Sequence, residues 1–347
     1  MKPMALRRDE AAAGALEGRI ACHDVRDGEG RVAIRKGQTL DVAAAGLLLT
    51  LPWEEVHLLE LEAGDLHEEP AGARLAQAAV GEGVEVKGYS GGQWTLAAAH
   101  RGLLRVREAA LALVNAEPGI AVFTLYDLQP VEAGEIVARA KVIPLAIAEQ
   151  VVKRVEECTR GAGGLLGVLP FAPHAIGAVT RETLDARQRA RFEAVLREKV
   201  DWFGSRLLPV RYSGGDARAV GGEITALVEA GAELVIVAGA SALDPLDPVF
   251  LGIGLAGGRM ERVGVPAHPG SLLFVGEAMS RPVLGMPTCG MFSQATTFDL
   301  ILPRLLAGEP IGNAQLAALG LGGLLSQDSA FRFPPYRKTA ARGELPE

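Results

Sequence analysis

The pattern of hydrophobic and polar positions changes character about halfway along the chain. Up to residue 143, short alternating or β-branched runs are separated by turns, as in residues 31–40, 55–61 and 136–143. From residue 175 onward, short buried-type strands alternate with amphipathic helices. The change predicts two domains, which suits a length of 347 residues.

The predicted boundary lies in the glycine-rich segment Arg160-Gly161-Ala162-Gly163-Gly164, which is typical of a flexible joint. We place a smaller, strand-rich α+β domain at residues 1–159 and an α/β domain at residues 165–312. Residues 313–347 form a C-terminal extension, of which residues 316–325 are apolar enough to pack on the body of the protein.

The second domain has the pattern of a mostly parallel sheet with helices on both faces. Residues 233–237 (ELVIV) predict a buried strand, and Phe192, Leu196 and Val200 repeat at helical spacing within residues 184–203. Alternating strands and helices favour parallel pairing with right-handed crossovers. Ligands of such sheets bind at the carboxyl ends of the strands. This rule selects the loops after four residues: Val179, Val237, Val263 and Leu284.

Composition and charge exclude several classes of protein. Hydrophobic residues make up 49% of the chain and charged residues 22%, which suits a packed core. The net charge of −7, without a long basic run, argues against a nucleic-acid partner. No apolar run approaches the roughly 18 residues of a membrane span, and no signal-peptide pattern is present. The three cysteines are far apart, which favours a reducing compartment. We therefore expect a cytoplasmic protein without a membrane partner.

The loop that follows Val237 contains two aspartates with different expected roles. Asp247 precedes Pro248 at the start of a predicted helix, so a plain helix cap is the alternative to a functional role. Asp244 lies in mid-loop and has no such structural duty. Its carboxylate is a candidate ligand for Mg²⁺ or for a ligand amide. Small residues before it allow a close approach of ligand to backbone.

The two later loops offer further polar groups. His268 lies between Pro266 and Pro269, either facing a ligand or as an ordinary exposed turn residue. The last predicted helix spans residues 292–307. The loop before it contains Thr288 and Cys289, and its first turn offers further hydroxyls. Free N–H groups there predict an anion cradle, with ordinary helix capping as the alternative. Cys289 has no basic neighbour in sequence that would support a nucleophile.

One motif is rejected on its context. Residues 252–257 (GIGLAG) formally match G-x-G-x-x-G. A dinucleotide-binding loop must follow a strand and open a helix. Here the motif lies at the end of a predicted helix and precedes a strand, so it does not indicate a dinucleotide site.

The three later loops, in this order and spacing, resemble those of the molybdopterin-binding domain family, which includes molybdopterin adenylyltransferases and molybdenumtransferases. The counterparts are residues 238–247, 268–271 and 285–290, and residues 180–182 occupy the place of the family's first-strand loop. The chain is most similar to bacterial molybdopterin-binding proteins of unassigned step. That resemblance rests on the sequences GASA at 239–242, PAHPG at 266–270 and MPTC at 286–289, and extends to HEE at 67–69.

The resemblance implies a set of ligand-binding residues for molybdopterin or a molybdenum-cofactor nucleotide. It assigns Asp244 and Asp247 as catalytic residues and as ligands of Mg²⁺. The expected cofactor-binding residues are Thr180, Glu182, Gly239, Ala240, Ser241, His268, Pro269, Gly270, Ser271, Pro287, Thr288, Cys289 and Ser293. The family's sites are often completed by a second subunit, so a homo-oligomer is expected.

Departures from the family pattern favour binding over catalysis. The double glycine of the enzymes is Gly239-Ala240 here, and lysines around the Pro-Gly turn are replaced by His268 and Ser271. Loss of two cations weakens the grip on a pyrophosphate. The leading hypothesis is a molybdopterin-binding protein of cofactor biosynthesis, maturation or delivery. The alternatives are an enzyme that ligates molybdate or transfers a nucleotidyl group, and a non-catalytic partner of a molybdoenzyme.

Overall fold

A computed structural model describes residues 1–292 and 295–336, so Ser293, Gln294 and residues 337–347 lie outside the described residues. The chain divides into two compact units. Unit 1 comprises Met1–His100, Leu104–Asp127 and Ala133–Val168; unit 2 comprises Arg101–Leu103, Leu128–Glu132 and the chain from Leu169 onward. Within the described part of the chain, no helix combines the length and the hydrophobicity needed to cross a lipid bilayer.

The strands are short. In chain order they are β1 (Lys2–Arg7), β2 (Ile20–Ala21), β3 (Val25–Arg26), β4 (Val32–Ile34), β5 (Glu55–Glu60), β6 (Asp65–His67), β7 (Val84–Ser90), β8 (Gln93–Ala98), β9 (Gly102–Val106), β10 (Ile120–Thr124), β11 (Pro130–Val131), β12 (Ile136–Val142), β13 (Ala146–Ala148), β14 (Leu166–Pro170), β15 (Ala175–Thr180), β16 (Arg206–Leu207), β17 (Arg211–Tyr212), β18 (Leu234–Ala238), β19 (Arg259–Val263), β20 (Phe274–Ala278) and β21 (Arg281–Met286).

The α-helices are α1 (Ala13–Leu16), α2 (Val42–Leu48), α3 (Glu68–Ala79), α4 (Glu108–Asn115), α5 (Glu149–Ala162), α6 (Ala186–Trp202), α7 (Ala217–Glu229), α8 (Pro248–Leu255), α9 (Phe298–Leu306) and α10 (Asn313–Ala317). Among the 3₁₀ turns, Thr288–Phe292 bears on the site described below.

Unit 1 is built from small antiparallel sheets and short helices. One sheet has the order β1-β5-β2 and another the order β10-β12-β8-β7. Helix α3 packs against β8, β12 and α5, and the apolar side chains Leu58, Leu75 and Leu96 are fully buried. The strand-rich α+β architecture predicted from the sequence is confirmed.

Unit 2 contains a seven-stranded sheet in the order β16-β15-β18-β21-β20-β19, with β17 also paired to β15. Strands β16, β17 and β18 run parallel to β15, and β21 runs parallel to β18. Strand β20 is antiparallel to both β21 and β19. The mostly parallel sheet predicted from the sequence is confirmed.

Helices cover both faces of this sheet, as alternation along the strands requires. Ile176 and Ile236 point to the face covered by α6 and α9. Val235 and Val237 point to the other face, where they meet α7 and α8. Alternate residues of each strand are therefore buried on opposite faces of the sheet, which fixes the register of the strand.

Two details differ from the sequence expectation. Helix α5 continues to Ala162 and ends at Gly163 in the left-handed conformation, so the expected flexible joint is a helix C-terminus. The sequence predicts a helix at residues 222–230, whereas α7 starts at Ala217 because the Asp216 side chain caps it. The G-x-G-x-x-G match falls in α8 and the turn before β19, which supports its rejection.

Candidate functional site

The carboxyl ends of the predicted ligand-facing strands lie at one edge of the sheet. Thr180 at the end of β15 is opposite Ala238 of β18, and Ala238 is opposite Met286 of β21. Strand β19 runs in the same direction as β21, since both are antiparallel to β20. The loops after all four strands therefore begin at the same edge, as the alternating pattern predicts.

The first two loops are in close contact at Gly239. This residue has φ +83°, and a β-carbon placed on it would lie 2.9 Å from both the backbone nitrogen and the Cγ atom of Glu182. The Arg181 N–H donates to the carbonyl of Ala238 at 3.2 Å. Only glycine fits both the left-handed backbone and the contact, so the predicted residues Thr180, Glu182 and Gly239 are brought together.

Asp247 holds the second loop in shape. It is 2% exposed, and its Oδ1 accepts from the Val249 N–H at 2.8 Å, as a helix cap does. Its Oδ2 accepts from the Ser241 N–H at 2.9 Å and lies 3.4 Å from the Arg181 guanidinium. Both oxygens are thus engaged within the protein and hold the loop in place. The predicted catalytic and metal-binding roles of Asp247 remain predictions.

Asp244 and Ser241 present exposed polar groups in the same loop. One oxygen of Asp244 accepts from the Leu246 N–H at 2.9 Å, while no partner occurs for the other among the described residues. Ala240 is half-buried beside Ser241. The predicted roles of these residues in ligand and metal binding remain predictions.

Arg181 is a functional candidate that our sequence reasoning did not select. Its side chain is 33% exposed, and its buried Nε atom has no hydrogen-bond partner within the described structure. A buried donor of this kind is costly unless something satisfies it. The signal in the sequence was its position, directly after the strand-end residue Thr180.

The third loop is joined to the C-terminal extension through its backbone. The His268 N–H donates to the Gly323 carbonyl at 2.7 Å, and the Leu325 N–H donates to the His268 carbonyl at 2.8 Å. The side chain of His268 is exposed, Pro269 and Ser271 are half-buried and Gly270 is buried. Gly270 has φ +105°.

The segment before α9 is bonded internally rather than open. The Thr296 N–H donates to Asp299 Oδ2 at 2.8 Å, the Thr297 N–H to the Pro269 carbonyl at 3.1 Å, and the Phe298 N–H to Thr296 Oγ1 at 3.2 Å. The Thr297 hydroxyl also donates to the Gly270 carbonyl at 2.6 Å. The expectation of free N–H groups is therefore wrong for residues 296–298, because the protein satisfies them itself.

The predicted residues at and just before the 3₁₀ turn Thr288–Phe292 differ in exposure. Pro287 is buried, whereas Thr288 and Cys289 are exposed at the strand-end edge. Ser293, also predicted to bind the ligand, lies outside the described residues.

A buried charged cluster lies beneath this segment. Lys199 of α6 and Asp299 of α9, 3% and 0% exposed, form an ion pair. The Tyr336 hydroxyl donates to Asp299 Oδ1 at 2.8 Å, and the Lys199 ammonium lies 5.0 Å from the centre of the Tyr336 ring. Burial, with the charge of Asp299 and their hydrogen bond, raises the pKa of Tyr336 well above its usual value.

Two surface grooves lie away from the strand-end edge. One, of about 380 Å³, is in unit 1 and is lined by Arg74 and Glu156, which are paired with each other. The other, of about 270 Å³, lies where β19 and β21 begin, near Arg259 and Arg281. Neither contains a residue selected by the sequence, so we place the candidate site at the strand ends. Within residues 1–292 and 295–336, no cluster of three or more His, Cys, Asp or Glu side chains is arranged to hold a metal ion.

Comparisons with known proteins give distant similarities. No protein-family model and no curated protein matches the chain. Among solved structures, it is similar to the molybdopterin biosynthesis protein MoeA from Pyrococcus horikosii, with 11% identity, 88% of this chain and 75% of that chain covered, and a TM-score of 0.29. The molybdopterin biosynthesis Mog protein from Mycobacterium ulcerans gives 16% identity, 39% and 95% coverage and a TM-score of 0.28. MogA gives 19% identity, with 38% of this chain and 91% of that chain covered, and a TM-score of 0.24. Values this low leave the function to be inferred from the chain's own site.

Proposed function

We propose that this chain binds molybdopterin or its nucleotide form and acts in the biosynthesis, maturation or delivery of the molybdenum cofactor. The observation that carries the proposal is the alignment of four strand-end loops at one edge of the sheet of unit 2. Three of these loops carry the sequences that resemble the molybdopterin-binding family. The glycine at 239 lets the first two loops close tightly on one another.

The site provides one cation suited to a ligand phosphate. Arg181 is anchored to Asp247, yet its Nε donor is unsatisfied, and the neighbouring Ser241 offers an exposed hydroxyl. Guanidinium groups bind phosphate oxygens through geometrically matched N–H donors. Arg181 thus supplies the charge that His268 and Ser271 do not.

Mg²⁺ fits the site through Asp244 rather than through Asp247. Asp244 is exposed with one oxygen free of partners among the described residues, whereas both oxygens of Asp247 accept N–H bonds. Mg²⁺ prefers one or two carboxylates completed by phosphate oxygens and water. A single open carboxylate favours binding and handling of the ligand over molybdate ligation or nucleotidyl transfer.

The test is titration of the full chain with molybdopterin in the presence of Mg²⁺, comparing Arg181→Met with Arg206→Met. Arg206 is an exposed arginine at the start of β16, at the opposite edge of the sheet. We expect a Kd well below 1 mM, weakened about tenfold or more by Arg181→Met because a charge-assisted bond is lost. Arg206→Met should leave it unchanged. Binding no tighter than about 1 mM would remove the proposal.

A further inference from the structure

Unit 1 contains a separate set of polar side chains that lack partners. Glu68, the first residue of α3, is half-buried between two glycine turns. Its Oε1 lies 2.9 Å from the position of a β-carbon on Gly37, and its Oε2 lies 3.7 Å from that of a β-carbon on Gly92. The carboxylate therefore occupies a notch that larger residues at these turns would fill.

Lys141 approaches the same notch from β12. Its Nζ atom lies 3.8 Å from the same Gly92 position, which keeps it within about 7.5 Å of the Glu68 carboxylate. The two side chains form no ion pair or hydrogen bond with each other or with any described residue. Both groups are half-buried, so they can exchange water for a third group that bonds to them.

An aromatic pair flanks the notch. Tyr89 and Trp94 are cross-strand partners on β7 and β8, with ring centres 5.3 Å apart. Tyr89 is 37% exposed, and Trp94 packs on Gly72, one helical turn along α3 from Glu68. Burial, together with the charges of Glu68 and Glu69, raises the pKa of the Tyr89 hydroxyl.

The donor set defines the ligand chemistry. An ionised carboxylate only accepts hydrogen bonds, and an ammonium only donates them. A ligand edge that satisfies both must offer N–H donors beside an acceptor oxygen. The 2-amino-4-oxopyrimidine ring does so, because its ring N–H and exocyclic amine lie next to its carbonyl. Such planar rings also stack on exposed aromatic side chains.

We propose that Glu68, Lys141 and the Tyr89–Trp94 pair form a second site that recognises the 2-amino-4-oxopyrimidine edge shared by pterins and guanine. Glu68 accepts from the two N–H groups of that edge, and Lys141 donates to its carbonyl. The choice of a pterin as the ligand that supplies this edge rests on the proposed function, since molybdopterin carries this ring. A first-turn carboxylate also stabilises a helix electrostatically, but that role does not discriminate between ligands.

The test is calorimetric titration of the full chain with two matched ligand pairs. Pterin is compared with lumazine, in which an oxygen replaces the exocyclic amine, and guanosine with inosine, which lacks that amine. We expect the aminated ligand of the recognised pair to bind at least tenfold more tightly. Glu68→Gln should erase this preference, and Lys141→Met should weaken both members of the pair.

Glu69→Gln is the matched control, since it removes the other first-turn charge of α3 and should leave the preference intact. Tighter binding of guanosine than of pterin would support the edge recognition and assign its source to guanine nucleotides. Equal affinity within both pairs, no binding of any of the four ligands, or a preference that survives Glu68→Gln would overturn the inference. Failure of molybdopterin to bind, with a Glu68-dependent preference retained, would remove the proposed function and leave this site standing.

Discussion

Asp247 and Asp299 occupy comparable places in unit 2, each at the start of a helix that follows a sheet strand, and each faces a cation. Their surroundings differ. The partner of Asp247, Arg181, is one-third exposed and retains an unsatisfied donor. The partner of Asp299, Lys199, is enclosed in the core beneath Tyr336.

The difference distinguishes a candidate binding site from a scaffold, by which we mean residues 296–299 with the buried partners Lys199 and Tyr336. Around Asp299, the N–H groups of residues 296–298 are satisfied within the protein, so little remains for a ligand. Around Asp247, the carboxylate fixes the loop while the Arg181, Ser241 and Asp244 side chains remain accessible. Each carboxylate therefore fixes its own loop, and the loop around Asp247 keeps polar side chains accessible as well.

The test of this comparison with the largest expected effect removes one cation at a time. Lys199→Met should lower the free energy of unfolding by about 3–5 kcal/mol, because Asp299 is left as an unpaired buried charge. Arg181→Met should lower it by less than about 1 kcal/mol, since its pair is partly exposed. Urea unfolding measures both. The double variant Lys199→Met/Asp299→Asn should recover part of the loss. Equal losses for Lys199→Met and Arg181→Met would contradict the assignment.

Gly239→Ala tests the contact between the first two loops. The new β-carbon would meet Glu182 at 2.9 Å on a backbone with φ +83°, so we expect a loss of about 2–3 kcal/mol. Gly231→Ala is the matched control, because Gly231 has φ +94° with no atom within 4 Å of the added carbon; it should cost only about 1 kcal/mol. Denaturant unfolding decides, and equal losses would mean that the close contact contributes nothing.

The loss of stability at alkaline pH tests the contribution of Tyr336, the second partner of Asp299. The pKa of Tyr336 is raised above its ordinary value of 10.0, so its protonated form favours the folded state. This contribution is fully present below about pH 10 and is lost as the pH rises through the folded-state pKa. Tyr336→Phe should flatten the fall in unfolding free energy above pH 10. A fall as steep as that of the wild type would place its origin elsewhere.

Much of this site follows from the sequence, whereas its internal pairing does not. Strand and helix alternation predicts the common edge, and Asp247-Pro248 predicts the cap of α8. The pair Lys199–Asp299 joins positions 100 residues apart, and no local pattern brings them together. The apolar spacing predicts that this helix starts at residue 292, whereas the bonds between Thr296 and Asp299 fix the start of α9 at Phe298.

Asp244→Asn should have the smallest effect. Its carboxylate is exposed and accepts only one local bond, so we expect stability to change by less than about 0.5 kcal/mol. The affinity for molybdopterin should fall a few-fold in the presence of Mg²⁺ and remain unchanged without it. Titrations with and without Mg²⁺ measure this. A loss of affinity that does not depend on Mg²⁺ would argue against a metal at this carboxylate.

The most direct test of the central claim is amide hydrogen exchange with and without saturating molybdopterin. Bound ligand should protect the loops at residues 180–183, 239–246, 268–271 and 287–290. The scaffold at residues 296–299 should already exchange slowly without ligand, because its N–H groups are bonded internally. Protection at the strand-end loops is the result that the account predicts. Saturated binding that leaves all four loops unprotected would contradict it.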